Sequence, residues 1–160
     1  MSGGHNDSVY ISAKADYALR ALVTLAATPG GGPVKAEALA AGQNMPASFL
    51  ENILVELRRA GLVASVRGNE GGYRLARPAR EITAADVMRA TDGPLAEVRG
   101  LRPEATTYAG AAVHLQELWV ALRASLRSVL EHVTLADLAA GTLPRPVRKL
   151  LSESEAWAPR

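Results

Sequence analysis

A chain of 160 residues has room for one compact domain with a respectable core, or for a small domain plus a dimerisation arm. It contains no cysteine, which excludes disulfides, thiol switching and any cysteine-ligated zinc or iron–sulfur centre. A net charge of +2 is too small to mark a nucleic-acid binder by itself, and 4% aromatic residues leave the core to Leu, Val, Ile and Ala.

Residues 1–10 read as a flexible leader, because MSGGHNDS lacks the apolar stretch of a secretory signal. No apolar run is long enough to span a bilayer, so the expectation is a cytoplasmic protein without a membrane partner. Helix one follows in ISAKADYALRALVTLA (Ile11 to Ala26), with Leu19, Leu22, Val23, Leu25 and Ala26 on its buried side. Asp16 on that helix suits an interhelical hydrogen bond or a plain surface charge. Gly30-Gly31-Gly32 before Pro33 is a loop, since no strand precedes it and no phosphate-loop lysine follows.

Lys35 to Ala41 is a short run of helix formers, broken by Gly42-Gln43-Asn44-Met45-Pro46. The next helix runs to about Ala60, with Phe49, Leu50, Ile53, Leu54 and Leu57 as one apolar stripe. Gly61 is placed to end it in a left-handed cap. Leu62 to Arg67 alternates as a strand does, Gly68-Asn69-Glu70-Gly71-Gly72 forms a tip, and Tyr73 to Arg77 returns. Two adjacent glycines there let backbone come close to another surface. Two helices, a tight turn and a hairpin make a winged helix-turn-helix, and the fold class is mainly α with one small β-hairpin.

From Val113 to Val133 the apolar residues Leu115, Leu118, Trp119, Leu122, Leu126, Val129 and Leu130 hold one helical face for about five turns. Such a helix packs on its own core or pairs with its twin. Thr134 then caps a short helix that ends near Gly141. The division expected is therefore a winged domain over 11–93, a loop over 94–111, a dimerisation helix and short following helix over 112–141, and a loose tail over 142–160.

A helix-turn-helix reads bases with exposed residues near the front of its second helix, here Ala47, Ser48, Glu51 and Asn52. Asn52 suits adenine and Glu51 accepts from cytosine, while Ser48 and Glu51 equally suit a local capping box. Arg67 and Asn69 at the wing, with Arg74 on the tip's other flank, suit a minor groove or its phosphates. Lys35 and Lys14, near the fronts of their helices, should meet phosphate; Arg58 and Arg59 fit a solvated last turn. His114 and His132 lie five helical turns apart and cannot share a metal within one chain. Trp119 and Tyr108 would either join the core or line an effector pocket with Arg99 and Arg102 as anion partners. No nucleophile–base pair, carboxylate dyad or metal-ligand cluster points to an enzyme.

Over nearly its full length the chain resembles the Rrf-two family of bacterial transcription regulators, the IscR/NsrR-like proteins. The segments that carry the likeness are Ile11 to Ala26, FLENILVELRRAGLVASVRGNEGGYRLARP (Phe49 to Pro78) and EITAADVMRATDG (Glu81 to Gly93), in that order. The resemblance implies a homodimer that binds double-stranded DNA at a partly palindromic operator and represses transcription. Many members carry a cluster on three cysteines between the post-wing helix and the dimerisation helix. Here that region, Pro94 to Ala111, contains none, and Asp16, where a few members place a non-cysteine ligand, cannot hold a cluster alone. The chain is therefore similar to a cluster-free member without cofactor, open to a small-molecule effector. The competing expectation is a winged helix that binds protein and not DNA.

Overall fold

The computed structural model describes residues 10–159, so the leader expected over 1–10 lies outside it except for Tyr10. Helix α1 (Ala13–Ala27) starts at Ser12, whose side chain accepts from the Ala15 amide. Its buried face is Ala15, Ala18, Ala21, Leu22 and Leu25. Three alanines let neighbouring helices approach closely, and the two leucines fill the space between them. Around it pack α2 (Ala36–Gly42), α3 (Ala47–Arg59) and α4 (Ala84–Asp92). Leu39, Leu50, Ile53, Leu54, Leu57, Ile82 and Val87 complete one continuous core. Each such residue contributes about 1.5–3 kcal/mol on burial, so the winged-helix domain has a sufficient interior without aromatics.

Strands β1 (Val63–Val66) and β2 (Gly72–Leu75) form a two-stranded antiparallel hairpin. Val63 pairs with Leu75, Ala64 with Arg74, Ser65 with Tyr73 and Val66 with Gly72. The strand was expected to run to Arg67; it ends one residue earlier, where Arg67 enters the turn.

Helix α5 (Leu115–Leu130) leaves this domain, and α6 (Leu135–Ala140) comes back to it. Thr134 and Asp137 form a capping box at the start of α6, and Gly141 ends it in the left-handed conformation. Leu135 is fully buried in the same core as Leu22 and Ile53. The Leu135 amide donates to the Ile82 carbonyl at 2.9 Å, and the Ala84 amide to that of Val133 at 2.8 Å. Both helices expected over 112–141 form, but they sit differently. Only α5 stands apart, because Leu135 carries α6 into the winged-helix core.

The loose tail expected over 142–160 also holds more structure. Helix α7 spans Arg145–Leu151, with Pro144 as its cap and Val147 buried. Pro144 and Pro146 sit at the front of this helix, where a missing amide costs nothing. The 94–111 loop is held too: Val98 and Leu101 bridge across Arg99 and Gly100, both at positive φ. Pro103 and Thr106 are buried, with the Thr106 hydroxyl donating to the Pro103 carbonyl at 2.7 Å.

Candidate nucleic-acid interface

The turn between α2 and α3 is closed by the Met45 amide, which donates to the Ala40 carbonyl at 2.8 Å, and by burial of the Met45 side chain. Asn44 takes a positive φ of 51° there. Pro46 then caps α3 without any side-chain hydrogen bond. Ser48 therefore stands inside the first turn and not at the cap, and the capping box open to Ser48 and Glu51 does not form. Ala47, Ser48, Glu51 and Asn52 are all exposed along one side of α3. Leu50, Ile53, Leu54 and Leu57 are buried on the other.

Phe49 departs from the expected apolar stripe, being 40% exposed. Its ring meets Tyr17 edge-to-face, with centroids 5.6 Å apart and planes at 81°. The Arg20 guanidinium lies 5.1 Å from the Tyr17 ring centroid and pairs with Asp16. It also donates to the Gln43 carbonyl at 3.4 Å, tying α1 to the turn before α3. Asp16 is thus one end of an intrahelical ion pair. Arg20 went unnoticed in the sequence, although its four-residue spacing from Asp16 was the available signal.

The wing is fixed by a contact distant in sequence. Val34 and Tyr73 exchange backbone hydrogen bonds, and a Cβ on Gly72 would lie 2.4 Å from the Val34 carbonyl oxygen. At Gly71 a Cβ would meet the Val66 carbonyl oxygen at 2.2 Å. Both positions accept glycine alone because backbone fills the space a side chain needs. Arg67, Asn69 and Arg74 are exposed, as is Lys35 at the front of α2.

Lys35, Glu51 and Asn52 come together, with Glu37, Val55, Gly68 and Tyr73, around one groove of about 450 Å³ between α2, α3 and the wing. Lys14 lies elsewhere. Its ammonium pairs with Glu56 of α3 at 2.8 Å, with both side chains about one-third exposed. Arg58 and Arg59 are exposed in the last turn of α3.

The four residues considered for an effector pocket do not converge. The Trp119 indole N–H donates to the Tyr108 hydroxyl at 3.0 Å, so these two rings satisfy each other. Arg99 is exposed at the loop turn, and Arg102 lines a different cleft beside α5. His114 lies near Glu117 at 3.3 Å, and His132 Nδ1 lies 3.0 Å from the Ser128 carbonyl. Among the described residues no helix is long and apolar enough to cross a membrane.

A family model described as Rrf2, an iron-dependent transcriptional regulator, matches residues 11–141. Rv1287 of Mycobacterium tuberculosis, provisionally named an HTH-type transcriptional regulator, is 52% identical over 146 residues, covering 91% of each chain. The solved structure of CymR, the global cysteine regulator of B. subtilis, superposes with a TM-score of 0.72 at 36% identity, over 84% of this chain and 99% of that one. IscR of T. potens superposes with a TM-score of 0.67 at 29% identity, over 96% of this chain and 95% of that one. The iron in the family description does not fit the donor set here. The chain offers no thiolate, and the described residues hold no group of three His, Asp or Glu placed to bind a metal.

Proposed function

The chain belongs to the Rrf2 family of DNA-binding transcriptional regulators, and from that premise we propose that it acts in the cytoplasm as a homodimer on a partly palindromic operator and represses transcription there. The front of α3 lies in the major groove, where Ala47, Ser48, Glu51 and Asn52 face base edges. Lys35 meets a phosphate at the groove's edge. Arg67, Asn69 and Arg74 bring the wing to the minor groove or its phosphates. Lys14 stands outside this set, its charge engaged by Glu56. The family places DNA ahead of the protein-only alternative that the near-neutral charge left open. Signal reaches the dimer without a cluster, through a small-molecule effector.

The observation that carries the dimer is the state of α5. None of its residues is buried, yet Leu115, Leu118 and Leu122 expose 36%, 54% and 37% of their surface along one face. Trp119, Leu126, Val129 and Leu130 are only half-buried on the same stripe. A stripe of that length on a small domain is an interface in waiting. A second copy fits it because the face matches itself across a two-fold axis. Two recognition helices must then sit one helical turn of DNA apart, or a multiple of it, which calls for a partly palindromic operator.

Sedimentation of the wild type and of Leu118→Glu tests this reading. The wild type should run as a dimer and the variant as a monomer with unchanged helical circular dichroism. A variant that stays dimeric would place the interface elsewhere.

A further inference from the structure

Between the end of α4, the loop after it and the near side of α5 lies an open cleft of about 520 Å³. Arginines approach it from three elements: Arg89 from α4, Arg102 from the loop, Arg123 and Arg127 from α5. Pro94, Leu95 and Ala96 give it an apolar wall. Two carboxylates answer the four guanidinium groups. Glu131 accepts from Arg89 at 2.5 Å and from Arg127 at 2.9 Å, and Glu104 pairs with Arg123. The Arg102 guanidinium makes no hydrogen bond or ion pair among the described residues; it adds only a Coulombic pull on Glu104. The cleft therefore carries two positive charges more than it neutralises.

We propose that this cleft is the effector site, and that its ligand is a small organic polyanion bearing at least two oxyanion groups, carboxylate or phosphate. The inference deepens the effector-responsive reading above and rests on it. Guanidinium forks match such groups by paired, charge-assisted hydrogen bonds, and Arg102 is free to supply the first. The second group competes with Glu104 for Arg123 or with Glu131 for Arg89 and Arg127. That competition has a consequence beyond affinity. Arg89 belongs to the winged-helix domain and Glu131 caps the end of α5, so their ion pair is the link that holds the reading head to the dimer helix, while Arg127, one turn earlier on α5, braces Glu131. A ligand that draws Arg89 away from Glu131 loosens or resets that link, and with it the distance between the two recognition helices. The Trp119–Tyr108 pair takes no part.

Calorimetric titration and thermal melting of the full chain, without DNA, test the site with two probes, citrate and inorganic pyrophosphate, at ionic strength matched with sodium chloride. At least one should bind saturably and raise Tm. Arg102→Gln should weaken that binding about tenfold or more, the worth of one charged hydrogen bond. Arg145→Gln, on the exposed start of α7, should leave it unchanged. Citrate alone would identify a carboxylate ligand, pyrophosphate alone a phosphorylated one, and both a general oxyanion site. Neither probe exceeding the chloride control, or binding that survives Arg102→Gln, would overturn the proposal. Because the readout contains no DNA, its failure leaves operator binding standing, and a failure of operator binding leaves the site intact.

Discussion

Val34 and Tyr73 exchange both backbone hydrogen bonds, at 2.9 and 2.8 Å, across a gap of nearly forty residues in sequence. Val34, just ahead of α2, thereby forms a single antiparallel bridge to the second strand of the wing. Lys35 and the wing tip, the two phosphate-facing parts of the proposed interface, are held in one register by this contact. The approach is possible only because Gly72 has no side chain, with the Val34 carbonyl oxygen and carbon 2.4 and 2.5 Å from where a Cβ would stand.

Gly72→Ala should therefore cost about 1–3 kcal/mol of stability, the usual range for backbone strain of this kind. Urea denaturation reads it directly. DNA affinity should fall further than stability explains, because the strand that yields carries Arg74. Unchanged stability would mean that the Val34 contact opens freely in solution.

Arg67→Ala removes a charge that has no ion-pair partner among the described residues, so the fold should be indifferent to it. Operator affinity should drop about tenfold, with the slope of log K against log salt reduced by about one. A fluorescence anisotropy titration across a salt series measures both. Normal affinity would remove Arg67 from the interface.

Asn52 is exposed on α3 and lines the groove with Lys35 and Glu51. Asn52→Ala should lose about 1–3 kcal/mol on the best operator and relax discrimination at one base pair in each half-site. Binding to a panel of single-base operator variants separates this from a phosphate role, which would weaken every sequence alike.

Glu131 is held below the ordinary carboxylate value of 4.5, first by the hydrogen bond from Arg89 and then by that from Arg127. A carboxyl group whose native pKa is lowered stabilises the fold above its unfolded value and loses that contribution as pH falls through the native one. The melting advantage of wild type over Glu131→Gln should thus be steady from pH ~7 down to ~5.5. It should narrow as pH falls below the unfolded value of 4.5 and vanish beneath the lowered native one. His132 and Arg127 are unchanged in both proteins, so the difference isolates this carboxylate. Equal melting at neutral pH would show that Glu131 does not tie α4 to α5.

What could be read from the sequence was local. The α3 stripe of Leu50, Ile53, Leu54 and Leu57 announces itself by helical spacing, and Thr134 and Gly141 announce the ends of α6 by their chemistry. The wing was visible because its glycines interrupt an alternating pattern. What escaped depends on partners far along the chain. Phe49 matched the buried stripe in spacing, but its ring packs edge-to-face with Tyr17 and 40% of it faces solvent. Lys14 looked like a free cation until the fold set Glu56 beside it. The stretch from 142 on was expected as a loose tail, yet a helix begins on Pro144 and Pro146. The Arg89–Glu131 pair joins residues forty-two positions apart, and no spacing rule reaches that distance.

The most direct test of operator binding by a dimer is a footprint on DNA enriched from a random-sequence pool, repeated at rising salt. Two dyad-related half-sites, centred about 34 Å or a multiple of it apart and lost steeply as salt rises, are the expected result. Protection of a single unsymmetric site, or no enrichment at low salt by a protein that sediments as a dimer, would contradict it.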